Sequence, residues 1–302
     1  MTAPDAALPA PSRTWTGPFM VLFGGVAIGF APIGMRLGLG DLGPQAIAFW
    51  RYAFALPFLL ALVFLIQRRP PARPNRFVFI AGTLFTLDMA LWHWGLTLTT
   101  VSNATFIVNL GNVLVGFGAW YFLKQRPKPV WFAAAALAVL GAAALSLGGD
   151  AGGKGDLRGD LLAFGAAIMV SGYMLASNVA RRTLGGIETI FWLTCVETVI
   201  AGVIVASTGE HFFPATLAGF RAPFSLALIA QIGGQAMIVA GLGRTSPALA
   251  GLLVLVQPVV AAAVSWRLFD EPLSVLQAAG AIVILFAVWL AQRGRKPQAA
   301  ID

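Results

Sequence analysis

Two ionisable side chains, Asp88 and His93, sit in the stretch TLDMALWHWGL (86–96), which otherwise consists of leucines, tryptophans and small residues. A carboxyl group in such a setting can titrate with a proton or accept hydrogen bonds that anchor one helix to another. Either use costs at least about 2.5–3.5 kcal/mol inside a bilayer unless water or a partner meets the group. On a helix the two lie five residues apart, about 140° around the axis, so they do not form an i,i+4 pair and each needs its own partner. A lone intramembrane acid is often paired, so a structural acceptor role is the expectation for Asp88, with proton coupling as the alternative.

Other polar side chains recur at helical spacing. Ser102, Thr105, Asn109, Asn112, Gly116 and Trp120 form one stripe, opposite Ile107, Leu110, Leu114, Phe117 and Tyr121. Such a stripe is either interhelical glue or the wall of a pathway. Glue bonds in membranes average only about 0.6 kcal/mol, which favours the pathway. Gln257 is followed by Pro258, which removes a helical N–H and exposes a carbonyl. Gln257 therefore either contacts a polar substrate together with Asn109 and Asn112 or satisfies that freed backbone. Pro32 and Pro258 are the hinge candidates; Trp92 and Tyr173 offer aromatic surface, and Gln235 and Glu197 are further mid-span polar groups. A partnership with a buried donor suits Glu197 at least as well as a transport role.

The elements that carry these residues follow from composition. Of 302 residues, 58% are hydrophobic and 11% charged, against about a quarter charged in soluble domains. Ten apolar runs approach the roughly 20 residues needed to cross a bilayer: Phe19–Leu37, Ala46–Ile66, Phe77–Leu98, Asn103–Leu123, Val130–Leu147, Leu161–Ala180, Thr189–Ala206, Ser225–Leu242, Ala248–Leu268 and Leu276–Ala291. The expected fold is all-α and integral to the membrane, with no connection long enough for a soluble domain. In the third run Ile80, Leu84, Leu87, Leu91 and Leu98 form the expected lipid face, and Trp94 an interfacial anchor.

The net charge is +8, and its cations fall in short clusters between spans, as membrane insertion requires, which argues against a nucleic-acid partner. Fourteen of the twenty lie on the N-terminal side and five opposite, with Arg51 inside a span, so both termini are expected in the cytoplasm of a bacterial inner membrane. Cys195 is the single cysteine, so no disulfide, metal cluster or cofactor is expected. The partners implied are the bilayer and a small-molecule substrate, and nothing fixes an oligomeric state.

The halves match at an offset of 145: RPKPVW falls on EPLSVL, Asn112 on Gln257, Arg36 on Arg181. With a three-residue gap, FWRY from Phe49 falls on FWLT from Phe191. Five spans per half is odd, so the copies cross the membrane in opposite senses. Their loop charges agree, KQRPKP being basic and its mate FDEPL acidic. The expected organisation is a tail (1–17), a first five-helix repeat (18–148), a periplasmic linker (149–160), a second repeat (161–293) and a tail (294–302). Inverted repeats are a transporter architecture with the substrate site near the midplane.

The segments WHWGLTLTTVSNATFIVNLGNVLVGFGAWYFLKQRP and GLGRTSPALAGLLVLVQPVVAAAVSWRLFDEP resemble the EamA branch of the drug/metabolite transporter superfamily. The resemblance covers residues 18–293. The second copy keeps the family's mid-helix proline (Pro258) and its Glu271–Pro272 turn; the first has Gly111–Asn112 and Lys124–Gln125–Arg126 instead. Within the branch the sequence is most similar to YddG-like exporters of aromatic and other neutral amino acids, with other metabolite or drug carriers as the alternative. The resemblance implies a central cavity lined by the third, fourth, eighth and ninth helices, helped by the first and sixth. An intramembrane enzyme finds no support, since HExxH, GxSxG and a phosphate-cradling glycine loop are all missing. A channel finds none in any filter-like loop, and a sugar-nucleotide cargo would call for more midplane cations than Arg51.

Overall fold

The computed structural model describes residues 16–148, 156–270 and 273–293. The linker around Lys154, both tails and the Glu271–Pro272 turn lie outside the described residues. Within them stand ten helices long and apolar enough to cross a membrane: α1 (Thr16–Gly38), α2 (Pro44–Gln67), α3 (Arg76–Leu98), α4 (Val101–Leu123), α5 (Pro129–Leu147), α6 (Leu157–Ala180), α7 (Gly186–Thr208), α8 (Leu217–Leu242), α9 (Pro247–Phe269) and α10 (Val275–Arg293).

Local chemistry sets the ends. Pro44, Pro129 and Pro247 occupy the first turns of α2, α5 and α9, where a missing N–H costs nothing. Asn75 accepts from Phe77 and Val78 N–H (3.0 and 3.2 Å) to cap α3, and Asp156 caps α6 through Arg158 N–H (2.9 Å). Arg68, Lys124 and Asp270 end α2, α4 and α9 in the left-handed region.

The halves pack as related copies. α3 lies along α6 as α8 lies along α1; α4 lies on α6 as α9 lies on α1; α3 meets α7 as α8 meets α2. The pairs α2–α7, α4–α9 and α5–α10 join mates across the two halves. The main contacts therefore obey a pseudo-two-fold, and with five crossings per copy the repeats are inverted. Small residues let backbones close in: a Cβ on Gly141 would stand 2.9 Å from the Gly280 carbonyl oxygen, and one on Gly280 would stand 2.6 Å from that of Gly141. The aligned tryptophans repeat one another's work, since Trp50 Nε1 donates to the Phe212 carbonyl beyond α7 and Trp192 Nε1 to the Ala72 carbonyl beyond α2.

Breaks in α1 and α9 depart from the symmetry. α1 is interrupted between Ile28 and Ala31, and α9 at Leu255, each three residues before a proline, Pro32 or Pro258. The interruptions face each other: a Cβ on Gly29 would stand 2.6 Å from Val260 Cβ and 3.0 Å from the Gln257 carbonyl oxygen. Their mates α6 and α4 run unbroken. Beyond the breaks Arg36 stacks on Phe269, 4.1 Å from the ring centroid. Its sequence mate Arg181 instead ties the end of α6 to α8, with Nε donating to the Val239 carbonyl at 3.2 Å and Nη1 to Leu184.

Two sequence expectations shift. Only Ile80, Leu87 and Leu98 of the leucine stripe are exposed; Leu84 and Leu91 pack on Gly172 and Gly165 of α6, because α6 lies along that side of α3. α8 begins at Leu217 rather than Ser225, through a 3₁₀ turn (Leu217–Phe220) that continues into the helical Arg221–Leu226, where Pro223 stands in the first turn.

Candidate functional site

Glu197 and Asp88 fall at the middle of α7 and α3 and are almost wholly buried (0% and 2% exposed). Glu197 is held by both oxygens: Gln231 Nε2 donates to Oε2 and Gln235 Nε2 to Oε1, each at 2.7 Å. The two glutamines are four apart on α8, in the stretch Ala227–Gln235 that winds as a π-helix. Residues four apart lie on one face of a helix, so both amides reach a single carboxylate.

Gln231 also donates to Thr194 Oγ1 (2.9 Å) and accepts from Arg51 Nε (3.0 Å). Arg51, the one cation within α2, is thus linked to Glu197 through an amide rather than by direct contact. A buried charge needs such satisfaction of its hydrogen-bonding groups to be tolerated. The array Arg51–Gln231–Glu197–Gln235 joins α2, α7 and α8 in one hydrogen-bonded unit.

Around it lie polar atoms without protein partners. Arg51 Nη2, the hydroxyls of Tyr52 and Tyr173, Gln235 Oε1 and Asp88 Oδ1 are buried and unbonded. Phe85 stands between the two tyrosine rings, 6.4 Å from Tyr52 and 4.8 Å from Tyr173 by centroids. The Tyr173 hydroxyl approaches Gln235 without making a hydrogen bond of normal geometry. Asp88, Glu197 and Arg51 act electrostatically on both tyrosines. One turn beyond Asp88 come Trp92, whose buried Nε1 is unbonded, and His93, whose two ring nitrogens are also unbonded. Clustered unpartnered polar atoms, costly in a closed interior, mark a place built to meet another polar species.

The structure thus gathers Asp88, Tyr173 and Gln235 of the sequence candidates into one cluster, with Trp92 and His93 at its edge. Asn109 and Asn112 stand apart on α4, where Asn109 Nδ2 donates to the Thr105 carbonyl (2.8 Å) and Asn112 Nδ2 to Asn109 Oδ1 (3.3 Å). Asn112 meets α9 at Gly251, and Gln257, half-buried, lies further along α9 beside the α1 break. Pro32 and Pro258 open the segments after the two breaks. The fourth-span stripe does not stay inward throughout, since Trp120 is exposed and lies under Arg126.

Sequence reading missed Arg51, Tyr52, Thr194 and Gln231 as members of the site. The four-residue spacing of Gln231 and Gln235 is a visible signal on one helix; the convergence of α2 and α7 upon it is not.

An all-helical bundle of ten spans in two inverted copies, with a charged array sealed at mid-depth, defines a membrane transporter. The profile of the EamA-like transporter family matches residues 15–147 and 157–292, and the chain belongs to that family. An uncharacterized transporter from Archaeoglobus fulgidus is 31% identical over 100 residues, a match spanning 32% of this chain and 33% of that protein. A crystal structure of a protein with 18% sequence identity superposes with a TM-score of 0.76, covering 92% of this chain and 97% of that one, so the fold is shared. The family and the named relative point to transport and not to enzymatic chemistry.

Proposed function

We propose that this transporter exports small neutral zwitterionic metabolites, with aromatic and other neutral amino acids as the cargo class, by alternating access at the buried cluster. The observation that carries this reading is the pairing of Arg51 with Glu197 through Gln231 inside a sealed site that also holds unpartnered polar atoms. A carboxylate of the cargo meets Arg51 Nη2, an ammonium meets the acidic side of the cluster, and Tyr52, Tyr173 and Trp92 give ring surface to its side chain. Asn109, Asn112 and Gln257 supply polar wall between α4 and α9, and Pro32 and Pro258 act as hinges.

Counterflow in reconstituted vesicles tests the cargo. Labelled phenylalanine is expected to exchange, with unlabelled phenylalanine competing and both phenethylamine and phenylpropionate failing to compete. Equal competition by the amine overturns the zwitterion and favours the alternative, a drug or other metabolite carrier of the same fold.

The orientation we propose places the protein in the bacterial inner membrane with both termini cytoplasmic, on the strength of the basic loop Arg68–Arg76 and its counterparts. Cysteines placed at positions 73 and 154 should react differently with an impermeant maleimide in intact cells, 154 labelled and 73 protected. The reverse pattern refutes the orientation.

A further inference from the structure

We propose that Asp88 is the proton site of this transporter: it carries a proton in the closed, cargo-free form and releases it when a cargo ammonium takes the proton's place. The inference rests on the cargo reading above and adds the driving ion to it.

Within the cluster two carboxyl groups act on the same pair of tyrosine hydroxyls, Tyr52 and Tyr173. Glu197 is provided for, with both oxygens accepting amide N–H bonds and Arg51 linked through Gln231. Asp88 is not. It is 2% exposed, no hydrogen bond or ion pair reaches it among the described residues, and Oδ1 is buried without a partner. Asp88 acts electrostatically on the hydroxyls of Tyr52 from α2 and Tyr173 from α6, and the other titratable or charged groups of the cluster are Arg51 from α2, His93 on its own helix and Glu197 from α7. Arg51 already serves the Glu197 array, the tyrosines are neutral, and the ring nitrogens of His93 make no bond to Asp88. An ionised carboxylate so placed would be an uncompensated buried charge, which is strongly disfavoured. A protonated one is neutral and hides no charge.

The exchange balances. On the cytoplasmic side the Asp88 O–H bond breaks, the proton passes to water, and the carboxylate left behind pairs with the incoming ammonium. On the far side the cargo leaves, and the carboxylate takes a proton from water before the empty site closes. One proton enters for each zwitterion exported. The carboxylate expected from sequence to be a paired structural acceptor is thus the one acid in the cluster with nothing to accept from.

Two measurements test this. Infrared difference spectra of the purified protein at neutral pH should show the carbonyl band of a protonated carboxylic acid, lost in Asp88→Asn and kept in Glu197→Gln; an unchanged band in Asp88→Asn overturns the proposal without any reference to cargo. In vesicles containing a pH-sensitive dye, a phenylalanine gradient should drive proton movement in the wild type. Asp88→Asn should abolish that movement and weaken cargo binding, with the remaining counterflow no longer varying with pH, while Asp88→Glu should restore proton flux. Wild-type counterflow with no proton flux refutes Asp88 as the coupling site and leaves the cargo reading standing. Absence of counterflow with the infrared band present refutes the cargo reading instead.

Discussion

Replacing Glu197 with alanine should abolish transport and lower the thermal stability of the purified protein more than any other single change in the cluster. The substitution removes the acceptor of two amide donors and leaves the Arg51 guanidinium without its counter-charge, all in a fully buried setting. Breaking a buried charged partnership costs about 3–5 kcal/mol, because the surviving charge stays in place uncompensated. Glu197→Gln also leaves Arg51 without a counter-charge, but it keeps the shape and an oxygen that one glutamine donor still finds, so it should be less destabilising than Glu197→Ala by about the 1–3 kcal/mol of an unsatisfied buried group. Thermal melting in detergent separates the two variants; equal melting temperatures for Glu197→Ala and wild type would show that the array holds nothing together.

A second large effect is expected where the halves cross. A Cβ on Gly251 would stand 2.0 Å from the Asn112 carbonyl oxygen and 3.3 Å from Val115 Cβ. The obstacle is helical backbone, which cannot rotate away like a side chain. Overpacking ordinarily costs about 1–3 kcal/mol, and Gly251→Leu should reach or pass the top of that range by forcing α9 off α4. Little monodisperse protein should be recovered from membranes, while Gly251→Ala should yield a folded protein of lower melting temperature. Normal yield and melting for Gly251→Leu would mean that the α4–α9 crossing is looser than this contact shows.

Hydropathy made the spans legible because each is a helix whose whole length must be apolar, and the observed bounds differ from the expected runs mainly by capping residues such as Pro44, Pro129 and Pro247. The exception, α8, starts in a segment broken by Pro214 and Pro223, where polarity hides the helix. The inverted repeat was legible from Asn112 against Gln257 and from the FW pairs, whose tryptophans make matching bonds. Site membership was legible only one helix at a time. Asp88, Tyr173 and Gln235 stand out as polar residues on inward faces, yet which faces converge depends on the crossing of α2, α7 and α8, and no periodicity within a helix records it. Arg51 shows the difficulty: taken alone it is a stray cation within a span, and its role follows only from Gln231, 180 residues away.

The facing interruptions of α1 and α9, with unbroken mates in α6 and α4, make the carrier lopsided although its halves share an ancestor. On one side of the membrane the short segments Ala31–Gly38 and Val256–Phe269 follow the breaks and are joined by the Arg36–Phe269 stack. On the other, α6 runs unbroken and Arg181 clasps its end to α8. Under the alternating-access reading proposed above, a machine assembled from two copies of one part then meets its two sides unequally, with interrupted helices on one and a clasped, unbroken helix on the other.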